Sequence, residues 1–138
     1  ALAKECRDAD ALIMAAAVSD WRPAKEAAHK LKKGTAQHLT IELARTPDIL
    51  GEVQRNGLVK VGFAAESEDV EANARAKLKD KGLHLIAAND VTAEGSGFET
   101  DTNRVLLIDN QGDVEELGLL SKYEVGHRIL DRVATLLG

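Results

Sequence analysis

Leu58-Val59-Lys60-Val61-Gly62-Phe63-Ala64, then a polar segment from Ser67 to Lys81, then Leu83-His84-Leu85-Ile86-Ala87-Ala88: this stretch decides the fold. Two short and nearly continuous apolar runs flank a segment of helical length. Strands covered on both faces read this way, whereas a sheet with one wet face alternates apolar and polar residues. Ser67 is expected to cap the helix between them. Glu68, Asp69 and Glu71 then sit favourably against its N-terminal dipole, and Gly82 suits its exit after about Lys81. Strand, helix, strand is the unit of an α/β fold with parallel strands and right-handed crossovers.

Working outward, Ala11–Val18 (ALIMAAAV) is a further buried-strand candidate, stopped by Ser19-Asp20-Trp21-Arg22-Pro23. Residues 1–8 read as the end of a helix. Trp21 to Gly34 is polar and basic, a loop or short helix. Leu39–Leu43 (LTIEL) alternates as a half-buried strand does. Thr46 is expected to cap a helix with Pro47 at its first position, where a missing N–H costs nothing. Downstream, Thr92 to Thr102 is loop-like, and Val105–Ile108 with the Val114 region predicts a hairpin around Asn110-Gln111-Gly112. Ser121 and Glu124 form a capping box for a last helix, Leu120 and Val125 a hydrophobic staple, and Val125, Ile129, Val133 and Leu136 share one face. The expected architecture is a single three-layer, Rossmann-like α/β domain over residues 1–138. Its sheet is mostly parallel, with helices on both faces and a C-terminal β-hairpin plus helix.

The 138 residues suffice for one core, built from Ala, Leu, Val and Ile because aromatics are only 3%. A net charge of -5 argues against nucleic-acid binding, which needs a basic face, and so few aromatics weaken a base-stacking role. A single cysteine, Cys6, excludes an internal disulfide framework and multi-cysteine zinc patterns. No apolar run reaches the roughly 18 residues of a membrane span, and no charged-then-apolar leader opens the chain. A soluble, cytoplasmic protein with no membrane partner is the expectation.

In α/β sheets of this kind, ligands sit outside the carboxyl ends of the strands. Here those ends read Ser19-Asp20-Trp21, Phe63-Ala64-Ala65-Glu66 and Asn89-Asp90, three polar segments expected to converge on one rim. There is no phosphate-loop motif and no GxGxxG, and the four histidines never fall at metal-ligand spacing. His84 reads most simply as a strand residue. Between residues 22 and 33, Arg22, Lys25, Lys30, Lys32 and Lys33 face a single acid, Glu26. A solvated loop accounts for such a run; so does a clamp on a polyphosphate, favouring the transition state in which pyrophosphate leaves. Asp20 at a strand end and Asp48 in a first helical turn suit a Mg²⁺ ion held by one or two carboxylates and substrate oxygens, although capping explains Asp48 equally. Lys77 and Lys81 share one face of a last helical turn, where the dipole favours cations in any case. Phe63 follows a glycine at a strand end, suited to the core or to contact with a base.

Five segments in order carry a more specific signal. Ala15-Ala16-Ala17-Val18-Ser19-Asp20-Trp21-Arg22-Pro23 resembles the AAVAD[YFW]RP segment of phosphopantothenate–cysteine ligases, and Lys30-Leu31-Lys32-Lys33 their KIKK motif. Thr46-Pro47-Asp48-Ile49-Leu50 is similar to their NPDIL, Val61-Gly62-Phe63-Ala64-Ala65-Glu66-Ser67 to VGFAAET, and Leu85-Ile86-Ala87-Ala88-Asn89-Asp90-Val91 to LIVANDV. Order and spacing hold on through Gly97-Phe98 and Asp101-Thr102-Asn103, nearly the whole chain.

The resemblance implies a ligase of coenzyme A biosynthesis. CTP activates 4'-phosphopantothenate as an acyl-cytidylate, and cysteine displaces CMP to form an amide. By motif, Asp20 and Lys30 are the expected catalytic residues, holding the triphosphate and, with Asp48, its Mg²⁺. Ala17, Pro47, Asp48, Ile49 and Leu50 are expected to line the nucleotide, with helix-start N–H groups aimed at it. Phe63 is expected to contact the cytidine, and Lys77 and Lys81 to complete the site. The resemblance also implies a homodimer and, in bacterial members, fusion to a flavin-dependent decarboxylase. Thr46 departs from the family's Asn and Ser19 from its Ala. The family's first strand, Gly-rich turn and Asn-containing segment have no counterpart, so the chain is expected to enter the domain at the helix before Asp10. Two alternatives stay open: a CTP-binding fragment without catalysis, and an α/β interaction domain.

Overall fold

The computed structural model describes residues 1–32, 37–93 and 101–138. Along the chain it forms α1 (Leu2–Glu5), β1 (Ala11–Met14), β2 (Trp21–Pro23), β3 (Leu43–Arg45), α2 (Ile49–Glu52), β4 (Val59–Glu66), α3 (Val70–Asp80), β5 (Leu85–Asp90), β6 (Thr102–Asp109), β7 (Val114–Ser121) and α4 (Lys122–Leu137). Two compact units result: residues 1–15 with 49–138, and residues 16–48.

The larger unit is built on one five-stranded sheet of order β1-β4-β5-β6-β7. β1, β4 and β5 pair in parallel, and β5-β6 and β6-β7 are antiparallel. The fold is mixed α/β, so the expectation of a mostly parallel sheet is corrected. The expected hairpin forms as β6 and β7, and both its strands enter the sheet. The buried Asp109 shapes the turn, with Oδ1 accepting the N–H groups of Gln111 and Asp113, each at 3.0 Å. Gly112 takes a φ of +100°, open to glycine without penalty. Arg132 of α4 donates to Oδ2 of the same carboxylate at 2.5 Å, which ties the last helix to the turn.

Side chains on the central strands alternate between two cores, as the period of a strand requires. Val59, Val61, Leu85, Ala87, Val105 and Leu107 pack with Leu117 under Val125, Ile129 and Val133 of α4. Ala64, Ile86, Ala88 and Ile108 pack with Ala74 of α3 and with Leu83. A third cluster joins Cys6, Leu12, Val53 and Leu58. Cys6 is thus a core residue, following a helix of only four residues where a longer remnant is expected. The capping box of α4 forms as read: the Ser121 hydroxyl accepts the Glu124 N–H and the Glu124 carboxylate accepts the Ser121 N–H. None of the helices in the described residues is long and apolar enough to cross a membrane.

Element ends differ from expectation wherever partners decide them. β1 stops at Met14, opposite Gly62, and residues 15–18 are exposed; alanine side chains carry too little apolar area to demand burial. β4 and β5 run on to Glu66 and Asp90, which pair with each other. Ser67 therefore belongs to the turn and does not cap α3. Its N-cap is Asp69 in the left-handed region (φ 45°), with no side-chain cap bond. At the far end Gly82 has the positive φ expected of a helix exit.

In the smaller unit the strands are β2, where a loop or helix is expected, and β3, shifted C-terminal to Leu39–Leu43. They form an antiparallel ribbon with Trp21 opposite Arg45 and Pro23 opposite Leu43. The Thr46 N–H donates to the Asp20 carbonyl at 2.9 Å, continuing this ladder, and Thr46 lies three residues before α2, not at its N-cap. α2 starts only at Ile49, a single turn, and Pro47 and Asp48 precede it.

Candidate functional site

The ribbon explains how Asp20 meets the segment that follows β3. With Trp21 opposite Arg45 and Thr46 bonded to Asp20, residues Asp20 and Thr46-Pro47-Asp48 lie at the same end of the ladder. The Ser19 hydroxyl donates to the Trp21 carbonyl at 2.8 Å, closing a local turn around Asp20. The Arg45 guanidinium stands 5.6 Å from the Trp21 ring centroid, a cation–π contact. Asp20, Pro47 and Asp48 are exposed. Ala17 and Lys30 are exposed as well and lie in irregular backbone before and after β2. Lys33, Gly97 and Phe98 fall outside the described residues.

The sheet unit holds the other candidates. Ile49 and Leu50 open α2; Ile49 is at the border of exposure, and Leu50 packs against two of the three cores. Phe63 lies opposite Ala87, half-buried against the α4 side of the sheet. Lys77 lies in the last turn of α3, and Lys81 is its C-cap; both are half-buried. The Lys81 carbonyl accepts from Lys60 Nζ at 2.8 Å, so this end of α3 stands beside the start of β4. Lys77 and Lys81 therefore belong to the amino ends of the strands, with Phe63 about 10 Å further along β4 from Lys60.

At the carboxyl ends, two of the three segments expected on one rim do meet. Glu66 is opposite Asp90, and Val91 N–H donates to the Glu66 carbonyl at 3.0 Å. Asn73 Nδ2 donates to the Glu66 carboxylate at 3.3 Å. Thr92 donates to Asp90 through its hydroxyl (2.7 Å) and its N–H (2.9 Å), which holds that carboxyl below its ordinary 3.8. The third segment, Ser19 to Trp21, belongs to the ribbon unit.

Sequence reasoning passed over Lys60 and Gly62. Lys60 is only 5% exposed although charged. Its N–H donates to His84 Nδ1 at 3.0 Å and its carbonyl accepts the His84 N–H at 2.8 Å, which gives His84 a structural task. A Cβ at Gly62 would stand 2.5 Å from Leu83 Cδ1 and 3.5 Å from Leu50 Cδ2. The available signal was a lysine and a glycine inside an otherwise apolar strand, each of which calls for a reason.

Residues 1–137 match the family described as DNA/pantothenate metabolism flavoprotein C-terminal domain. The chain belongs to this family. It corresponds to the phosphopantothenoylcysteine synthetase part of bifunctional relatives. Among these, the coenzyme A biosynthesis bifunctional protein CoaBC of Bacillus subtilis (strain 168) is 45% identical over 129 residues, covering 92% of this chain and 32% of the relative. The CoaBC of Vibrio vulnificus (strain CMCP6) is 42% identical over 142 residues, covering 100% and 35%. A crystal structure of the C-terminal domain of CoaBC superposes with a TM-score of 0.75 at 33% identity, covering 97% of this chain and 58% of that one. The chain thus spans about a third of the length of these curated relatives and part of that solved C-terminal domain.

Proposed function

We propose that this chain is part of a CTP-binding ligase domain of Rossmann-like build, which joins 4'-phosphopantothenate to cysteine in coenzyme A biosynthesis. The observation that carries this reading is the family match over residues 1–137, which includes every residue given a role below. In the first step the phosphopantothenate carboxylate attacks the α-phosphorus of CTP. A new P–O bond forms, the α–β anhydride breaks, and pyrophosphate leaves with the bonding electrons. In the second, the cysteine amine attacks the acyl carbon; the C–N bond forms, CMP departs, and the amine gives up a proton.

Lys30 places positive charge where the leaving pyrophosphate develops negative charge, the kind of preorganised stabilisation that lowers such barriers. Asp20 positions the triphosphate from the same ribbon end as Asp48. These two exposed carboxylates fit Mg²⁺, which accepts one or two carboxylates and takes its other ligands from phosphate and water. No group of three or more acidic, His or Cys side chains among the described residues is placed to hold a metal ion, and in this reading Mg²⁺ would be shared between these two carboxylates and the nucleotide. Bound there, Mg²⁺ supplies neutralisation of phosphate charge. The motif resemblance alone gives Ala17 and Pro47 to Leu50 the lining of the nucleotide, Phe63 the contact with cytosine, and Lys77 and Lys81 the remaining contacts with CTP; Lys77 and Lys81 stand at the amino ends of the strands and Phe63 on the α4 side of the sheet.

Leu39, Ile41 and Leu43 are 68%, 59% and 52% exposed, an apolar row that supports a homodimer. The bifunctional relatives support fusion to, or association with, a flavin-dependent decarboxylase, and a cytoplasmic location goes with this biosynthetic role. The test is thermal melting with CTP, ATP and Mg²⁺, followed by pyrophosphate release. A CTP-specific upward shift with phosphopantothenate-dependent release is the expected result. A shift without release leaves a nucleotide-binding fragment, and no shift with any nucleotide leaves an interaction domain.

A further inference from the structure

We infer that Lys60 is a positioning residue of the nucleotide site: its buried ammonium ties the turn carrying Ile49 and Leu50 to the helix end carrying Lys77 and Lys81. The nucleotide-binding roles of those four residues rest on the function proposed above; the tether itself rests on geometry. Lys60 Nζ donates to the Val53 carbonyl at 3.2 Å and to the Lys81 carbonyl at 2.8 Å. Val53 directly follows α2, and Lys81 is the C-cap of α3. Both acceptors are thus carbonyls at helix C-termini, which lack intrahelical partners and favour a cation.

Burying an ammonium is expensive, and an apolar side chain would fill the same space without that cost. What the lysine adds is direction: one group with several donors fixes two segments that are remote in sequence. The two backbone-region bonds to His84 hold Lys60 in place, and so set where its side chain leaves the strand. Gly62, two residues on, leaves room for Leu83 and Leu50 on the same side of β4. The strand is therefore shaped twice on this side, by a missing Cβ where Leu83 packs closest and by a bonded amine that reaches the residue after α2.

The experiment compares the parent chain with K60M, which keeps side-chain length and removes the donors. Amide hydrogen exchange is followed without nucleotide over residues 49–57, 77–84 and 122–137, and the CTP dissociation constant is measured with Mg²⁺ by calorimetry. The expected result is exchange about tenfold faster in the first two segments together, with 122–137 unchanged, and a dissociation constant raised about tenfold. K60R retains donors and should recover most of both effects. Equal loosening across the chain, loosening of only one segment, or unaltered CTP affinity with both segments loosened would overturn the inference. If K60M does not fold, K60R decides: coupled exchange of 49–57 and 77–84 close to the parent's supports the tether, and uncoupled exchange overturns it. A parent chain that binds no CTP would sink the ligase reading, while the exchange pattern still judges the tether.

Discussion

The sheet unit encloses Val61, Leu85, Ile86, Leu107 and Ile108 completely between its two helical faces, whereas residues 16–48 bury none of their described side chains. In that ribbon only Ala24, Ala44 and Thr46 reach even partial burial, and Leu39, Ile41 and Leu43 stand open. One region is held by apolar area removed from water, the other by ladder bonds between two three-residue strands. A two-stranded ribbon of this size is marginal by itself. Yet the ribbon carries Asp20, Lys30 and Asp48. The difference teaches that the scaffold and the proposed phosphate chemistry are drawn from separate stretches with separate physical demands.

Substitutions can break or sharpen that contrast. The largest effect is expected from L107A, in the core under α4, which should lower unfolding free energy by about 2–5 kcal/mol in urea titration; I41A in the ribbon should stay within about 0.5 kcal/mol. Comparable losses at the two sites would abolish the distinction. K30Q is expected to reverse the pattern. Pyrophosphate release should fall by about 100-fold, with the melting temperature unchanged because Lys30 is exposed. Turnover equal to the parent's would remove the clamp.

G62A tests the crowded side of the sheet, where the added Cβ meets Leu83 Cδ1. A loss of about 1–3 kcal/mol is expected by thermal unfolding, against no change for G118A, where nothing stands within 4 Å of the added atom. The smallest effect is at α4: S121A should cost about 1 kcal/mol. It should also weaken a pH dependence. Bonds from the Ser121 hydroxyl and N–H lower the Glu124 carboxyl below its ordinary 4.5 in the folded chain. That stabilisation is present above the unfolded value and is lost as pH falls through the folded one. The parent should therefore lose more stability than S121A as pH drops from about 4.5.

Much of the scaffold was readable because its signals are local. The apolar runs at 58–64 and 83–88, the polar helix between them, the turn at Asn110–Gly112 and the Ser121–Glu124 box each depend on neighbours in sequence. Candidate site residues were legible as motifs in order, so the family could be inferred from residues alone, and the match over 1–137 agrees. Less legible was anything that needed a partner strand. Thr46 reads as a cap until its N–H continues the ladder at Asp20 and α2 starts three residues on, and Ser67 reads as a cap until Glu66 pairs with Asp90.

Residue order therefore carried the α/β class and the family, and pointed to Asp20, Lys30 and Asp48 as candidates, since composition, periodicity and motif spacing survive in one dimension. Tertiary structure alone decided that half of the main sheet's strand pairings are antiparallel, that β1 ends at Met14, and that Lys77 and Lys81 stand at the amino ends of the strands. It also decided that Lys60 is a buried link. A lysine's burial depends on which carbonyls reach it, and Val53 and Lys81 come within range only after β4, α2 and α3 have packed.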